Sequence, residues 1–310
     1  MLIFNAAKRI ILLVGISLFF SAFTCALETA TSSASIQPIT QIKVIPTSFH
    51  DFKSHDYYTT LLKLALEKTK DSYGEAEVVI TKEMLVQDRF FKELNAEGAI
   101  DVYWTVTSIT REQQAIPIRV PLLNGIMGYR VSIILNKRLN EFKQHYNETY
   151  LKKMIAGQGH DWPDYNVLTF NDFLVLGTSN YNSIIELLKR RRIDHFPRAI
   201  NEALVELETL KDNELALEPN ILLHYPSYIF FFVSKSNPEL AKRLEYGLAL
   251  AIADGSFQCV FEKYIDINRI RSQLNLPSRR LVSLDNPLLS EQTRKLALQQ
   301  IWQIDTSSKC

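Results

Sequence analysis

Residues 117–128, "PIRVPLLNGIMG", gather Pro117, Pro121, Gly125 and Gly128 into one short run. Proline removes a backbone donor and glycine admits strained conformations, so the run interrupts regular structure without forming a helix of its own. A second such stretch, residues 219–227, "PNILLHYPS", holds Pro219 and Pro226. The two bracket the middle third of the chain. A domain inserted into another needs two crossings, so the economical reading is one lobe from about residue 36 to 120 plus 228 to 310, and a second from about 123 to 224. The crossings fall near 121–128 and 219–227.

Outside these runs, short apolar segments alternate with amphipathic ones. Before the first crossing, Ile39–Ile45, Ala76–Ile80 and Ile100–Thr105 read as strands, and Tyr57–Thr69 and Met84–Asn95 as helices. Between the crossings, Tyr129–Leu135, Phe173–Leu176 and Ile193–Phe196 read as strands, Ser183–Arg190 and Asn201–Leu210 as helices, and Tyr150–Ala156 runs into a glycine loop. Tyr228–Val233 is a very apolar strand, followed by a long helix from Pro238 to Asp254, with Asn237 as its cap and Gly255 as its stop. Strands alternating with helices predict an α/β protein whose mostly parallel sheets are flanked by helices. Ligands of such sheets sit at strand carboxyl ends, here between the lobes.

The amino end reads as a secretory signal peptide, residues 1–26: Lys8-Arg9, the apolar run Ile10–Phe20, then small residues ending at Ala26. The run is shorter than the roughly 18 residues of a membrane span. Export to the periplasm with cleavage after Ala26 is the expectation. Charge is nearly balanced, with 35 basic and 34 acidic residues, which leaves no footprint for nucleic acid and points to a small-molecule or protein partner. Once Cys25 is removed, Cys259 and Cys310 remain, and the sequence leaves open whether they pair. No metal or cofactor is expected, since two cysteines without nearby histidine pairs make no zinc site.

Between the crossings lies "AGQGHDWPDYN", residues 156–166. His160 beside Asp161 matches no metal-ligand spacing, and neighbouring side chains point different ways. A Gly-x-Gly ending a strand instead suits backbone that approaches a ligand and offers it N–H groups at a helix N-terminus.

Three stretches resemble the periplasmic solute-binding proteins of amino-acid ABC transporters, extracellular solute-binding family 3. "TVTSITREQQAIPIRVPL" (105–122) resembles the family's Thr-x-x-x-Arg run, "IELLKRRRIDHF" (185–196) its second-lobe Leu-x-x-Gly-Arg-x-Asp segment with Arg191 in place of the glycine, and "NPELAKRLEYGLALAIADGSFQCVFEKY" (237–264) its closing helix pair. The resemblance implies a two-lobed, type II periplasmic-binding-protein fold. It also implies a monomer that captures a small carboxylate-bearing solute and serves an inner-membrane permease or sensor. The tail from Asp266 to Cys310 lies beyond the family's usual end.

The resemblance further implies that Arg111 clamps the ligand carboxylate, with Thr107 and Trp104 beside it. On the opposite side, Gln158 takes the place of the family's hydroxyl with Gly159 next to it, His160 and Trp162 form walls, and Asp161 caps the helix. In the family an acidic residue five positions after the second-lobe Asp grips the ammonium group. Here that count from Asp194 reaches Ala199, so Asn201 or Glu202 substitutes, or the ligand carries a second anionic group toward Arg198. The competing reading is a dehydratase-like periplasmic enzyme using His160 with Asp161 or Asp164 as acid or base. No catalytic residue is expected on the binding reading.

Overall fold

The computed structural model describes residues 39–45, 52–81, 87–96, 100–144 and 147–296. The expected signal peptide, Cys25 and Cys310 lie outside the described residues.

The chain begins with β1 (Thr40–Val44), α1 (Phe52–Lys68), α2 (Lys70–Tyr73), β2 (Ala76–Ile80), α3 (Gln87–Asn95), β3 (Val102–Val106), α4 (Ile109–Gln114) and β4 (Ile116–Ile118). It continues through β5 (Tyr129–Leu135), α5 (Leu139–Gln144), α6 (Glu148–Lys153), β6 (Ile155–Gly159), α7 (Pro163–Phe170), β7 (Leu174–Thr178), α8 (Tyr181–Lys189), β8 (Phe196–Ala199), α9 (Ile200–Leu210), β9 (Leu215–Leu217) and β10 (Ile221–His224). The last third holds β11 (Ile229–Val233), α10 (Pro238–Ala253), α11 (Ser256–Tyr264), α12 (Ile267–Gln273), β12 (Arg280–Ser283) and α13 (Glu291–Arg294). Among the described residues no helix is long and apolar enough to cross a membrane.

Strands of the first group pair only with one another and with β11. Strands β1 and β2 are parallel, while β11 runs antiparallel between β3 and β4. The Asp101 N–H donates to the Lys43 carbonyl at 2.8 Å, and the Lys43 N–H donates to the Asp101 carboxylate at 2.7 Å, tying β1 to the start of β3. The chain therefore leaves this layer after β4 and returns to its middle as β11. Why β11 is apolar throughout follows from its place. Ile229, Phe231 and Val233 enter one cluster with Tyr58, Leu61 and Leu62 of α1, and Phe230 and Phe232 enter another with Phe90 and Phe91 of α3.

The second layer has the order β12-β10-β5-β8, with β9 also on β5 and with β6 parallel to β7. A bridge from Ala156 to His195 joins β6 to the approach of β8. Both layers are mixed rather than mostly parallel. The physical reason is that β5 and β11 each follow a Pro/Gly run and enter their layers in reverse: β5 runs against β8, β9 and β10, and β11 against β3 and β4.

The two Pro/Gly runs touch. The Tyr225 N–H donates to the Gly128 carbonyl at 3.1 Å, and a Cβ on Gly128 would lie 2.5 Å from the Tyr225 oxygen. Only glycine permits that approach.

Two segments differ from expectation. Residues 150–156 split into the end of α6 and the start of β6, and the glycine run "AGQG" is itself strand. The tail, which the sequence grouped with the first lobe, sends β12 to pair in parallel with β10 of the second layer. Cys259 is disulfide-bonded.

Candidate functional site

Arg111 lies on α4, a short helix that starts just past the carboxyl end of β3. Ser108 caps it by accepting the Arg111 N–H at 3.2 Å. The Arg111 guanidinium folds back over the strand end, donating from Nη1 to Thr105 Oγ1 at 3.0 Å and to the Val106 carbonyl at 2.6 Å. It is half-buried. An arginine anchored on a strand end and still reached by solvent is chemically able to bind a carboxylate.

The neighbours expected beside it are placed differently. Trp104 is only 3 % exposed and packs against His55, Tyr58 and Phe231, with centroids 5.3, 5.5 and 6.2 Å away. It is core under α1, because alternate residues of β3 face opposite ways and Trp104 shares the inner face with Val102. Thr107 is fully buried and donates its hydroxyl to Glu112 Oε1 at 2.8 Å. Tyr103 and Thr105, which the sequence reading passed over, hold the opposite face. Tyr103 stacks on Phe90 at 4.0 Å. Burial pushes its hydroxyl pKa up, Arg111 and the bond to Thr105 pull it down, and Asp161 pushes it up again.

On that second layer, Gln158 is fully buried within β6. Its Nε2 donates to the Pro197 carbonyl at 3.0 Å, while its Oε1 has no hydrogen-bond partner. The amide therefore braces β6 against β8 instead of standing where a ligand would meet it. Gly159 has a steric reason: a Cβ there would lie 2.6 Å from the Trp162 ring. Trp162 lies flat over the strand end, with the Arg198 guanidinium 5.1 Å from its ring centroid. His160 is exposed, and its Nδ1 and backbone N–H both meet the Thr178 carbonyl at 2.9 Å. Asp161 does not cap α7. The cap position is Trp162, which makes no side-chain cap bond, and Pro163 follows.

Arg198 is engaged within the protein. Its Nε reaches both Glu206 oxygens at 2.9 and 3.0 Å, and Nη2 lies 3.2 Å from Glu202. Burial alone would lower its pKa, but Glu202 and Glu206 outweigh burial and raise it, so Arg198 stays charged. A ligand anion at Arg198 would have to compete with two carboxylates. Ala199 is the cap position of α9, and its N–H donates to Glu202 Oε2 at 3.2 Å. Asn201 is half-buried, with an Oδ1 that has no hydrogen-bond partner.

Glu202 also lies 3.5 Å from Arg130, which is 1 % exposed and 2.8 Å from Asp164. Tyr225 donates its hydroxyl to the same Asp164 oxygen. A chain of alternating charge therefore runs from the second crossing to α9: Tyr225, Asp164, Arg130, Glu202, Arg198, Glu206. Burial raises the Glu202 pKa against the pull of Arg198 and Arg130. The signal was in the sequence, since an arginine inside the apolar strand "YRVSIIL" needs buried carboxylates. The chain also corrects the enzyme reading at one position. Asp164 is committed to Arg130 and Tyr225, and His160 bonds to Thr178, so His160 and Asp164 do not form a dyad.

No family model matches the chain, and no curated protein matches it in sequence. Solved structures do match. A probable amino-acid ABC transporter extracellular-binding protein from Bacillus subtilis aligns over 74% of this chain and 98% of its own, at 14% identity and TM-score 0.54. A periplasmic binding protein of high arginine specificity from Salmonella typhimurium aligns over 72% and 98%, at 15% identity and TM-score 0.53. An ancestral amino-acid-binding protein, a precursor of cyclohexadienyl dehydratase, aligns over 72% and 95%, at 13% identity and TM-score 0.51. With β11 returning between β3 and β4, and with these neighbours, the chain has the α/β, type II periplasmic-binding-protein fold.

Proposed function

We propose that this is a periplasmic binding protein that captures a small carboxylate-bearing solute, amino-acid-like in size, between two lobes. It passes the solute to an inner-membrane permease or reports it to a sensor. The lobes are residues 36–120 with the returning strand and helices from 228 onward, and residues 123–224. The protein acts as a monomer and releases the solute unchanged.

The observation that carries this reading is Arg111, held by Thr105 and Val106 at the carboxyl end of β3 and still reached by solvent. The position is where an open α/β sheet places its ligand. The binding activities of the structural neighbours agree with it. Of the residues proposed at the site, Arg111, Gly159, His160 and Trp162 remain, joined by Tyr103 and Asp161. Thr107, Trp104, Gln158 and Arg198 support them from behind.

Calorimetry tests the reading. Truncating one member of a desolvated charge pair costs about 2 to 5 kcal/mol. Arg111→Ala should therefore weaken binding of the captured carboxylate by roughly thirty-fold to several-thousand-fold, with the circular dichroism spectrum unchanged. Equal affinity in the two proteins overturns the clamp. Conversion of the ligand by wild type and not by His160→Ala would establish the enzyme in its place.

A further inference from the structure

The tail after β12 is built into both layers within a few residues. Leu284 sits in the cluster of Phe142, Val167, Phe173 and Tyr225, and Leu289 sits in the cluster of Phe90, Phe91 and Tyr103. On the side of the second layer, the Leu284 N–H donates to the His224 carbonyl at 2.8 Å. Asn171, which ends α7, exchanges two bonds with Asp285, donating to its carbonyl at 2.7 Å and accepting its N–H at 3.0 Å. Midway, Asn286 donates to the carbonyl of Pro226, in the second crossing, at 2.7 Å.

On the side of the first layer, the Ile109 N–H donates to the Leu288 carbonyl at 2.7 Å. Ser290 and Thr293 each donate a hydroxyl to the Glu112 carboxylate at 2.7 Å, which also accepts from Arg119 at 2.7 Å and from Thr107. Four donors on one carboxylate with a side chain 6 % exposed make a firm anchor. Glu112 is the residue after Arg111 on α4. Arg294 braces the segment from within, donating to the Leu289 and Asn286 carbonyls at 3.0 and 2.9 Å.

We propose that residues 284–294 are a strap across the junction of the two lobes, and that it positions α4, with Arg111, relative to the second lobe. What the strap does for ligand capture rests on the binding reading above. That the strap limits the separation of the lobes does not. Each end is held to a different layer, by side-chain bonds beside backbone bonds and a buried leucine, so the two ends act in series and loosening either one releases the same motion.

The test uses the mature protein without ligand. Spin labels are carried on non-canonical residues at exposed Lys63 of α1 and Asn182 of α8, which leaves the Cys259 disulfide untouched. Electron–electron resonance then reads the distance distribution between the layers. Wild type should give one narrow distribution. Asn171→Ala should broaden it, Ser290→Ala with Thr293→Val should broaden it as much, and the three changes together should add nothing further. Should the double change prevent folding, Glu112→Gln keeps the side chain's shape, removes its charge, and is expected to broaden the distribution in the same way. A distribution that stays narrow in every folded variant, or widths that add, overturns the strap. Neither outcome bears on whether Arg111 holds a carboxylate, which calorimetry decides separately.

Discussion

His195 shows what burial does to one titratable group. It is fully buried beside β8, with Nδ1 2.9 Å from Ser132 Oγ and Nε2 without a hydrogen-bond partner. Burial pushes its pKa down to about 4, against a small opposite pull from Asp194. The unfolded chain titrates near 6.5, so above that pH the stability tied to the neutral ring is fully present, and it is lost as pH falls toward 4. The loss approaches about 3 kcal/mol, at 1.4 kcal/mol per pK unit. Urea unfolding between pH 7 and 4 should show this slope in wild type, with a shallower one in His195→Gln, whose amide can still reach Ser132. Equal slopes would place the acid sensitivity elsewhere. Legibility at this scale followed the backbone. Arg111 was singled out by resemblance to a Thr-x-x-x-Arg run, whereas Trp104 and Thr107 were assigned to the cleft although both are buried, because single-residue parity at the end of β3 decides which side chains face outward. Gln158 was assigned there because a residue inside a strand was read as lying past its end.

At the scale of elements, strands were legible where β-branched and aromatic residues run together, as in β5 and β11, because such residues fit a pleated sheet buried on both faces, and β2 was legible from its β-branched run although its faces stay partly open. The glycine run was not, because glycines in β6 read as loop while tertiary packing by Trp162 demands one of them at position 159. One residue has a backbone cost. Arg191, standing where the segment that this stretch resembles has glycine, adopts φ 55° at the end of α8, after Arg190. An L-residue pays about 1 kcal/mol in that left-handed region relative to glycine. Arg191→Gly is therefore expected to stabilise the protein by about 1 kcal/mol, raising the melting temperature by roughly 2 °C. A lower melting temperature would mean that the Arg191 side chain contributes more than its backbone costs.

For the whole molecule, the two Pro/Gly runs suggested a chain that leaves and returns, and the structure has β11 entering between β3 and β4 after the second of them. The tail was not legible. Nothing in "RRLVSLDNPLLS" announces that β12 joins β10 while Ser290, beyond it, binds Glu112, because both contacts span long sequence separations and depend on where the crossings bring the layers. The ligand is a question for the whole molecule as well, since binding to the folded state alone stabilises all of it. At a free concentration of 100 times Kd the gain is about 2.7 kcal/mol. A chain of this size should then melt about 5 °C higher. A melting screen of mature protein against amino acids, dicarboxylates and small peptides is expected to give such a shift for a narrow set of carboxylates. Arg111→Ala should lose the shift while melting, without ligand, near wild type. Amines lacking a carboxylate should give none, because the oriented guanidinium has no anion to receive. If an uncharged or purely cationic solute raises the melting temperature as much as any carboxylate does, the ligand is recognised by some feature other than Arg111.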